Sequence, residues 1–409
     1  MEAIPTVQIL GLRMSRQART NFQWDFIAAA LFSLFNVVFN QFYIPIAIRG
    51  GATDFQVGLL SAAPAVGLLF SPIWASMAER RRAKYFVTFP NIIGRLLIFI
   101  PALFTSPWVF VGIAMAYQFL QGIQAPAYAT LMTQIYPADI RGRIMGYVRV
   151  AMGLLMIPLA FTVGIWIDRA GSFYPLLIAA LTGSVSMVIF SMVKEERLPD
   201  PLAAARKRVR FRDQFTVLRN NRPLVLFLIA TTFSGFGNML ANPLYNIIQV
   251  QRLELSNMDI GIVRICYFAL LLLAYFFMGR VIDRFGPKRA MIICIGCHVM
   301  CTLLYGIFGT YPAVLMASGL QGFADATWDL GCLAYVFRLA PGKEGVVFGL
   351  HLMLFGIRGT IGPLLGTGLN GVLPIEAIIL AASFFCLCGF LTLVLAKEKG
   401  KDPAELEPM

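Results

Sequence analysis

Charge is what this chain has least of. Asp, Glu, Lys and Arg make up only 13% of its 409 residues, about half the roughly 25% of a soluble globular protein. So little charge over this length excludes an ordinary water-soluble domain. With 58% hydrophobic residues and a mean hydropathy of +0.73, the composition is that of a polytopic membrane protein. No G-x-x-x-x-G-K-[ST] loop is present, which argues against ATP-driven pumping by this chain. No nucleophile and base stand together in a polar loop, so no enzyme is expected. Histidine is reduced to two residues, and the seven cysteines all fall in the second half within apolar runs; that arrangement implies no disulfide framework. Residues 1–21 carry Arg13, Arg16 and Arg19 but lack a long apolar core and a small-residue cleavage site. The first span is therefore expected to act as its own uncleaved insertion signal.

What is there is a series of apolar windows of about 20 residues. They predict twelve spans, at 22–48, 55–78, 85–104, 108–135, 143–168, 174–193, 223–249, 258–281, 289–309, 312–338, 345–369 and 375–396. The formal charge of +13 raises nucleic acid as a partner, but its distribution answers differently. If the N-terminus is cytoplasmic, 27 Lys and Arg fall at the gaps on that side and three (Arg49, Arg169, Arg252) on the other. Four more (Arg95, Arg149, Arg264, Arg358) lie within spans. This is the positive-inside bias, with some attraction to anionic lipid. Both termini are expected in the cytoplasm, and no nucleic-acid partner is expected. The short connections fit a prokaryotic inner (plasma) membrane.

The connection 194–222 is basic and partly amphipathic. It divides the chain into a cytoplasmic segment 1–21, a six-span unit 22–193, the linker 194–222, a second unit 223–396 and a tail 397–409. The units repeat at an offset of about 200 to 205. FSLF at 32–35 recurs as FSGF at 233–236. Asn36, Asn40 and Tyr43 recur as Asn238, Asn242 and Tyr245, LQG at 120–122 as LQG at 320–322, and Gly142 and Gly146 as Gly345 and Gly349. Both units begin on the same side, so the repeat is parallel.

MGRVIDRFGPKRA at 278–290, between spans 8 and 9, resembles the loop signature of the major facilitator superfamily. Gly279, Asp283, Arg284, Gly286, Lys288 and Arg289 fill it. Gly279 is expected to allow close helix approach, Asp283 to cap a helix end or pair with a cation, and Gly286 to make the turn. The counterpart ASMAERRRAK at 75–84 is degraded: Ala75, Glu79, Arg80 and Lys84 stand for Gly279, Asp283, Arg284 and Lys288. RGRIMGY at 141–147 also looks like the family. The resemblance extends over residues 22 to about 396. It implies an all-α membrane protein, with twelve transmembrane helices in two pseudo-symmetric six-helix bundles that rock around a central cavity. It further implies that helices 1, 4, 7 and 10 line the cavity, with 2, 5, 8 and 11 beside them, and that the signature loops form a cytoplasmic latch.

Two carboxylates mark the site. Asp325 sits near the middle of span 10, and Asp329 one turn away on the same face. Arg358 is at nearly the same depth in span 11, with His351 two turns away on its face. A charge at mid-bilayer costs about 2.5–3.5 kcal/mol even on the mild insertion scale, so it faces a partner or a wet cavity. Asp325 and Asp329 can carry a proton or bind a cation. Arg358 can pair with Asp325 or hold an anionic group. The competing reading is a fixed salt bridge between spans 10 and 11, or a lock between the bundles. Polar stripes at helical spacing add Gln118, Gln121, Gln124 and Tyr128 on span 4, Asn36 and Asn40 on span 1, and Asn238 and Asn242 on span 7. Interhelical hydrogen bonding explains any single one of these residues equally well, and the stripes as sets less well. Trp328 is expected to pack or to stack on a ligand. Arg149 and Arg264 are read as snorkelling near span ends, and Arg95 must turn inward to a partner the sequence does not name.

Members that export drugs by proton exchange resemble this chain imperfectly. The helix-4 arginine of their pattern is replaced by Gln118, before Gln121-Gly122. Their helix-5 Gly-Pro motif is reduced to Ile157-Pro158, whereas GTIGPLLGTG at 359–368 sits on span 11. The expected function is a secondary transporter of a small solute, by proton-coupled efflux of an amphipathic or cationic compound. The alternatives are uptake of a metabolite whose anionic group Arg358 holds, and lipid flipping. A remote alternative is a haem-binding redox protein, from Cys294, Cys297, His298 and Cys301 in CIGCHVMC. The depth of that motif inside an apolar span argues against it, so no cofactor or metal is expected. With both bundles in one chain, a monomer suffices.

Overall fold

The computed structural model describes residues 6–9, 12–69, 83–195, 218–219, 221–341 and 344–396. A short antiparallel hairpin, β1 (Thr6–Ile9) and β2 (Leu12–Ser15), precedes the helices. These are α1 (Arg16–Arg49), α2 (Asp54–Leu69), α3 (Ala83–Leu103), α4 (Pro107–Ile135), α5 (Ala138–Ala170) and α6 (Phe173–Phe190), followed by α7 (Arg222–Arg252), α8 (Asn257–Phe285), α9 (Pro287–Phe308), α10 (Tyr311–Leu339), α11 (Glu344–Leu369) and α12 (Ile375–Leu395). Among the described residues, nine of the twelve are long and apolar enough to cross a membrane by length and composition alone. The other three are α2, described over 16 residues, and α4 and α10, which the expected polar residues interrupt.

Local chemistry sets the helix ends. Ser15 Oγ accepts the Ala18 amide at 3.1 Å and so starts α1 at Arg16, earlier than the apolar run, which begins near residue 22. Ser256 and Asp259 form a reciprocal capping box on α8. Gly286 turns α8 into α9 with φ +82°, a conformation that favours glycine.

Within each unit the fourth helix lies against the second at its LQG glycine. Added to Gly122, a Cβ would overlap the Gly67 carbonyl of α2; added to Gly322, it would overlap the Tyr267 carbonyl of α8. The repeat seen in sequence is therefore a repeat of packing. Gly359, Gly362 and Gly366, flanking Pro363, let α11 approach Ala65 of α2 and Met239 and Leu240 of α7. Gly279, by contrast, has open space around it; it does not mediate a close approach in this conformation.

The two units share one apolar core, and three further cores each lie within one unit. The shared core lies toward the face away from the termini and joins Phe42, Tyr43 and Ile167 to Leu244, Ile260 and Tyr305. Toward the termini, Phe22, Leu131 and Phe190 pack in the first unit, and Leu224, Met291 and Tyr335 pack separately in the second. Cross-unit hydrogen bonds gather at the closed face. Asp168 accepts from the Asn257 amide (3.0 Å), Asn257 Nδ2 (2.7 Å) and the Met258 amide (2.8 Å). Asn370 donates to Asp54 at 2.7 Å, and Arg49 to the Leu255 carbonyl. Among the described residues, the units are thus joined at one end and have separate cores at the other.

Candidate functional site

Between the units, a cleft of about 420 Å³ is walled by α1 (Asn36, Asn40), α5 (Arg149), α8 (Tyr267, Tyr275) and α10 (Asp329). A smaller polar cavity of about 170 Å³ adjoins it and holds Asn40, Asn242, Gln249, Arg264, Gln321 and Asp325. Four of the residues expected from sequence, Asn36, Asn40, Asn242 and Asp329, therefore meet at the seam between the units, and Asp325 joins them.

Each aspartate is held by a tyrosine of α8. The Tyr267 hydroxyl donates to Asp325 Oδ2 at 2.7 Å, and the Tyr275 hydroxyl to Asp329 Oδ2 at 2.6 Å. Asp329 also faces Arg149 across the seam, with Nη1 at 3.6 Å from Oδ2. Both members of that pair are about half exposed, with side-chain accessibilities of 55% and 46%, so water screens the pair and it separates readily. Arg149 does not snorkel as the sequence reading had it. It projects from α5 into the space between the units. Arg264 likewise turns inward, donating to Asn246 Oδ1 at 3.3 Å.

Asp325 and Arg358 form no ion pair. Among the described residues the ion pairs are Arg149–Asp329 and Arg252–Glu376. Arg358 is buried in a separate cavity of about 140 Å³ inside the second unit, where Asn238, Trp328 and His351 also sit and which Asp325 borders. Its guanidinium lies on Gly235, donates to the Thr231 carbonyl and leaves Nε without a partner. The Trp328 and His351 rings face each other at 5.1 Å and 35°, so Trp328 packs against a residue of the expected set.

The first unit has its own cavity, about 240 Å³, bordered by Asp25, Arg95, Gln121, Gln124, Tyr128 and Arg149. Arg95 finds the partner the sequence could not name: Nη1 donates to Ser186 Oγ (2.6 Å) and the Gly183 carbonyl (2.9 Å) of α6, and the guanidinium covers Phe32 at 4.2 Å. Gln121 donates to the Tyr117 hydroxyl at 2.5 Å. Gln118 stands apart from the stripe; its backbone meets Gly67 where α2 crosses α4. Sequence reasoning overlooked Asp25, which is buried and accepts from the Tyr136 hydroxyl at 2.8 Å. The signal was its place inside the predicted span 22–48, and the Ser15 cap starts α1 about two turns before that span. It also overlooked Tyr267 and Tyr275, whose spacing of eight puts both on one helical face.

In the loop signature, Lys288 Nζ donates to the Ala396 carbonyl, tying α9 to the end of α12, and Arg284 and Arg289 flank the Phe285 ring at 5.3 and 5.5 Å. Asp283 is exposed. Glu79 and Arg80 lie outside the described residues. Cys294 Sγ donates to the Ala324 carbonyl and Cys301 Sγ to the Tyr245 hydroxyl; among the described residues no group of three or more His, Cys, Asp or Glu is arranged to hold a metal.

No curated protein matches the sequence significantly. Solved structures match the fold. The nucleoside transporter NupG superposes with a TM-score of 0.71 at 15% identity, covering 92% of this chain and 100% of its own. A bacterial homologue of the human lysosomal transporter Spinster, inward-facing and unoccupied, gives 0.67 at 12% identity, covering 93% and 97%. At such identities the likeness is one of fold. The family model of the Major Facilitator Superfamily matches residues 25–235 and 227–408, nearly the whole chain. The chain belongs to the Major Facilitator Superfamily and is a multi-pass membrane transporter rather than an enzyme.

Proposed function

We propose that this transporter exchanges protons for a cationic or amphipathic small solute and exports it. The observation that carries this reading is the pair of carboxylates in the seam, each held by a tyrosine hydroxyl, one of them facing an arginine of the other unit. A proton on Asp329 removes its attraction to Arg149 and with it a link between the units. A cationic solute competes for the same carboxylate. Either event changes the balance between the two arrangements of the units, as coupling requires. Asn36, Asn40 and Asn242 supply neutral hydrogen-bonding groups around the charge. In this reading the face with the termini is cytoplasmic, as the 27-to-three bias of basic residues favours, and the cleft opens inward. The monomer is the transport unit.

The test is a pH-gradient assay in inside-out vesicles with cationic, anionic and neutral solutes, the Asp325→Asn, Asp329→Asn double variant run beside wild type. Collapse of the gradient by a cationic or lipophilic compound in wild type alone supports proton exchange. Equal collapse in both rejects the role given to the aspartates.

A second reading has one observation in its favour. Arg358 is buried without a carboxylate partner among the described residues, and it can receive the anionic group of a metabolite taken up. Gradient collapse by an anionic solute, lost in Arg358→Gln and kept in the double aspartate variant, distinguishes it.

A further inference from the structure

Outside the bundles, α7 and α11 leave a groove of about 330 Å³ facing away from the central cleft. Leu218, Val225, Leu228, Ile229 and Phe233 form one wall, and Leu350, Met353 and Leu354 the other. Ile229 and Phe233 are 39% and 40% exposed. Among the lining side chains Thr232 carries the hydroxyl, and its Oγ1 already donates to the Leu228 carbonyl at 2.6 Å. The groove therefore offers a ligand no side-chain hydrogen-bond donor, and its apolar lining suits a hydrocarbon occupant.

Among the described residues, charge lies at one end only. Arg219 follows Leu218 directly, and Arg222 sits three residues before Val225, on the same helical face; both are exposed. The stretch from Arg222 to Phe233 rises about 16 Å at about 1.5 Å per residue, close to half of the roughly 30 Å hydrocarbon core. The groove thus has about the length of one leaflet, with two cations at the end where α7 begins. On their other faces the same two helices carry Thr231 and Arg358, joined by the hydrogen bond described above.

We propose that the α7–α11 groove is a binding site for an anionic phospholipid of the leaflet on the side of the termini. One acyl chain lies along Val225, Ile229 and Phe233, and the phosphate is held by Arg219 and Arg222. The attraction is electrostatic at the headgroup and hydrophobic along the chain. A lipid seated there braces the α7–α11 contact that Arg358 makes from the opposite face.

The experiment uses full-length protein in a neutral detergent. Native mass spectrometry follows titration with phosphatidylglycerol or phosphatidylcholine, and glycerol phosphate serves as the headgroup-only probe. Wild type should bind one phosphatidylglycerol more tightly than phosphatidylcholine. Arg219→Gln and Arg222→Gln should each weaken it about fivefold and leave phosphatidylcholine unchanged. Ile229→Trp, which fills the groove, should abolish the tight site. Leu354→Trp on the opposite wall should do the same, and it serves if the first variant fails to fold. Glycerol phosphate should not bind. Equal affinity for the two lipids in wild type, a tight site that survives either tryptophan variant, or binding of glycerol phosphate would each overturn the proposal.

Discussion

Arg149 borders both the cavity of the first unit and the cleft between the units, and this makes it the residue most informative about coupling. Its pair with Asp329 is half exposed, so its net contribution to folding should be under about 1 kcal/mol. Arg149→Gln should leave the melting temperature nearly unchanged while lowering the transport rate. The exchanged pair Arg149→Asp, Asp329→Arg should recover part of that rate. A structural lock would give the opposite pattern, a large loss of stability with transport restored by any neutral pair. Asp25 differs because it is buried. Removing its hydrogen-bond donor with Tyr136→Phe leaves a buried carboxylate without that partner, and should cost about 1–3 kcal/mol, measured by thermal unfolding in detergent. Asp325 and Asp329 were legible in the sequence because a charge inside an apolar run is conspicuous. Asp25 was not, since it stands only three residues into its predicted span, where a charge passes for an end residue, and its burial against Tyr136 is a tertiary contact.

At the scale of helices, the repeat was legible as matched residues, and the structure turns it into matched contacts. Gly122 and Gly322 each abut a backbone carbonyl, which cannot move aside as a side chain can. Gly122→Leu and Gly322→Leu should each cost about 1–3 kcal/mol or more through overpacking. Gly279→Leu, with open space around it, should change stability by less than about 0.5 kcal/mol. Thermal unfolding of the three variants checks both statements. The loop motif drew attention to Gly279 because family patterns mark function as well as packing. A motif does not say in which conformation its contacts form. The polar stripe on α4 shows a related limit. Helical spacing grouped Gln118 with Gln121, Gln124 and Tyr128. The crossing with α2 occupies the Gln118 backbone, and Gln121, Gln124 and Tyr128 border the first unit's cavity rather than the seam.

For the whole molecule, the asymmetry between a shared core at one face and separate cores at the other defines the conformation. Alternating access requires the closed face to open. Cysteines at Asp54 and Asn370, whose side chains now meet at 2.7 Å, can be joined by a short thiol-reactive linker. The cross-link should abolish transport, and a reducible linker should restore it on cleavage. Transport that continues in the cross-linked protein would mean that these two faces do not separate during the cycle. The single-cysteine variants, treated alike, account for the seven native cysteines.

Helix number, the repeat, the sidedness of basic residues and the two aspartates of α10 all follow from the chain alone, because the bilayer permits few solutions. A span must be about 20 apolar residues long, and a charge within it must be exceptional. Which charges meet was decided by tertiary structure. Asp325 is placed near Tyr267 rather than paired with Arg358, and Arg149 crosses the seam to Asp329. Arg95 binds Ser186 and the Gly183 carbonyl. The reason is geometric. Residues on different helices become neighbours through crossing angles and helix rotations, which small residues such as Gly67, Gly122 and Gly235 set by letting backbones and side chains approach. Depth in the membrane can be counted along a sequence, but the facing of one helix to another cannot.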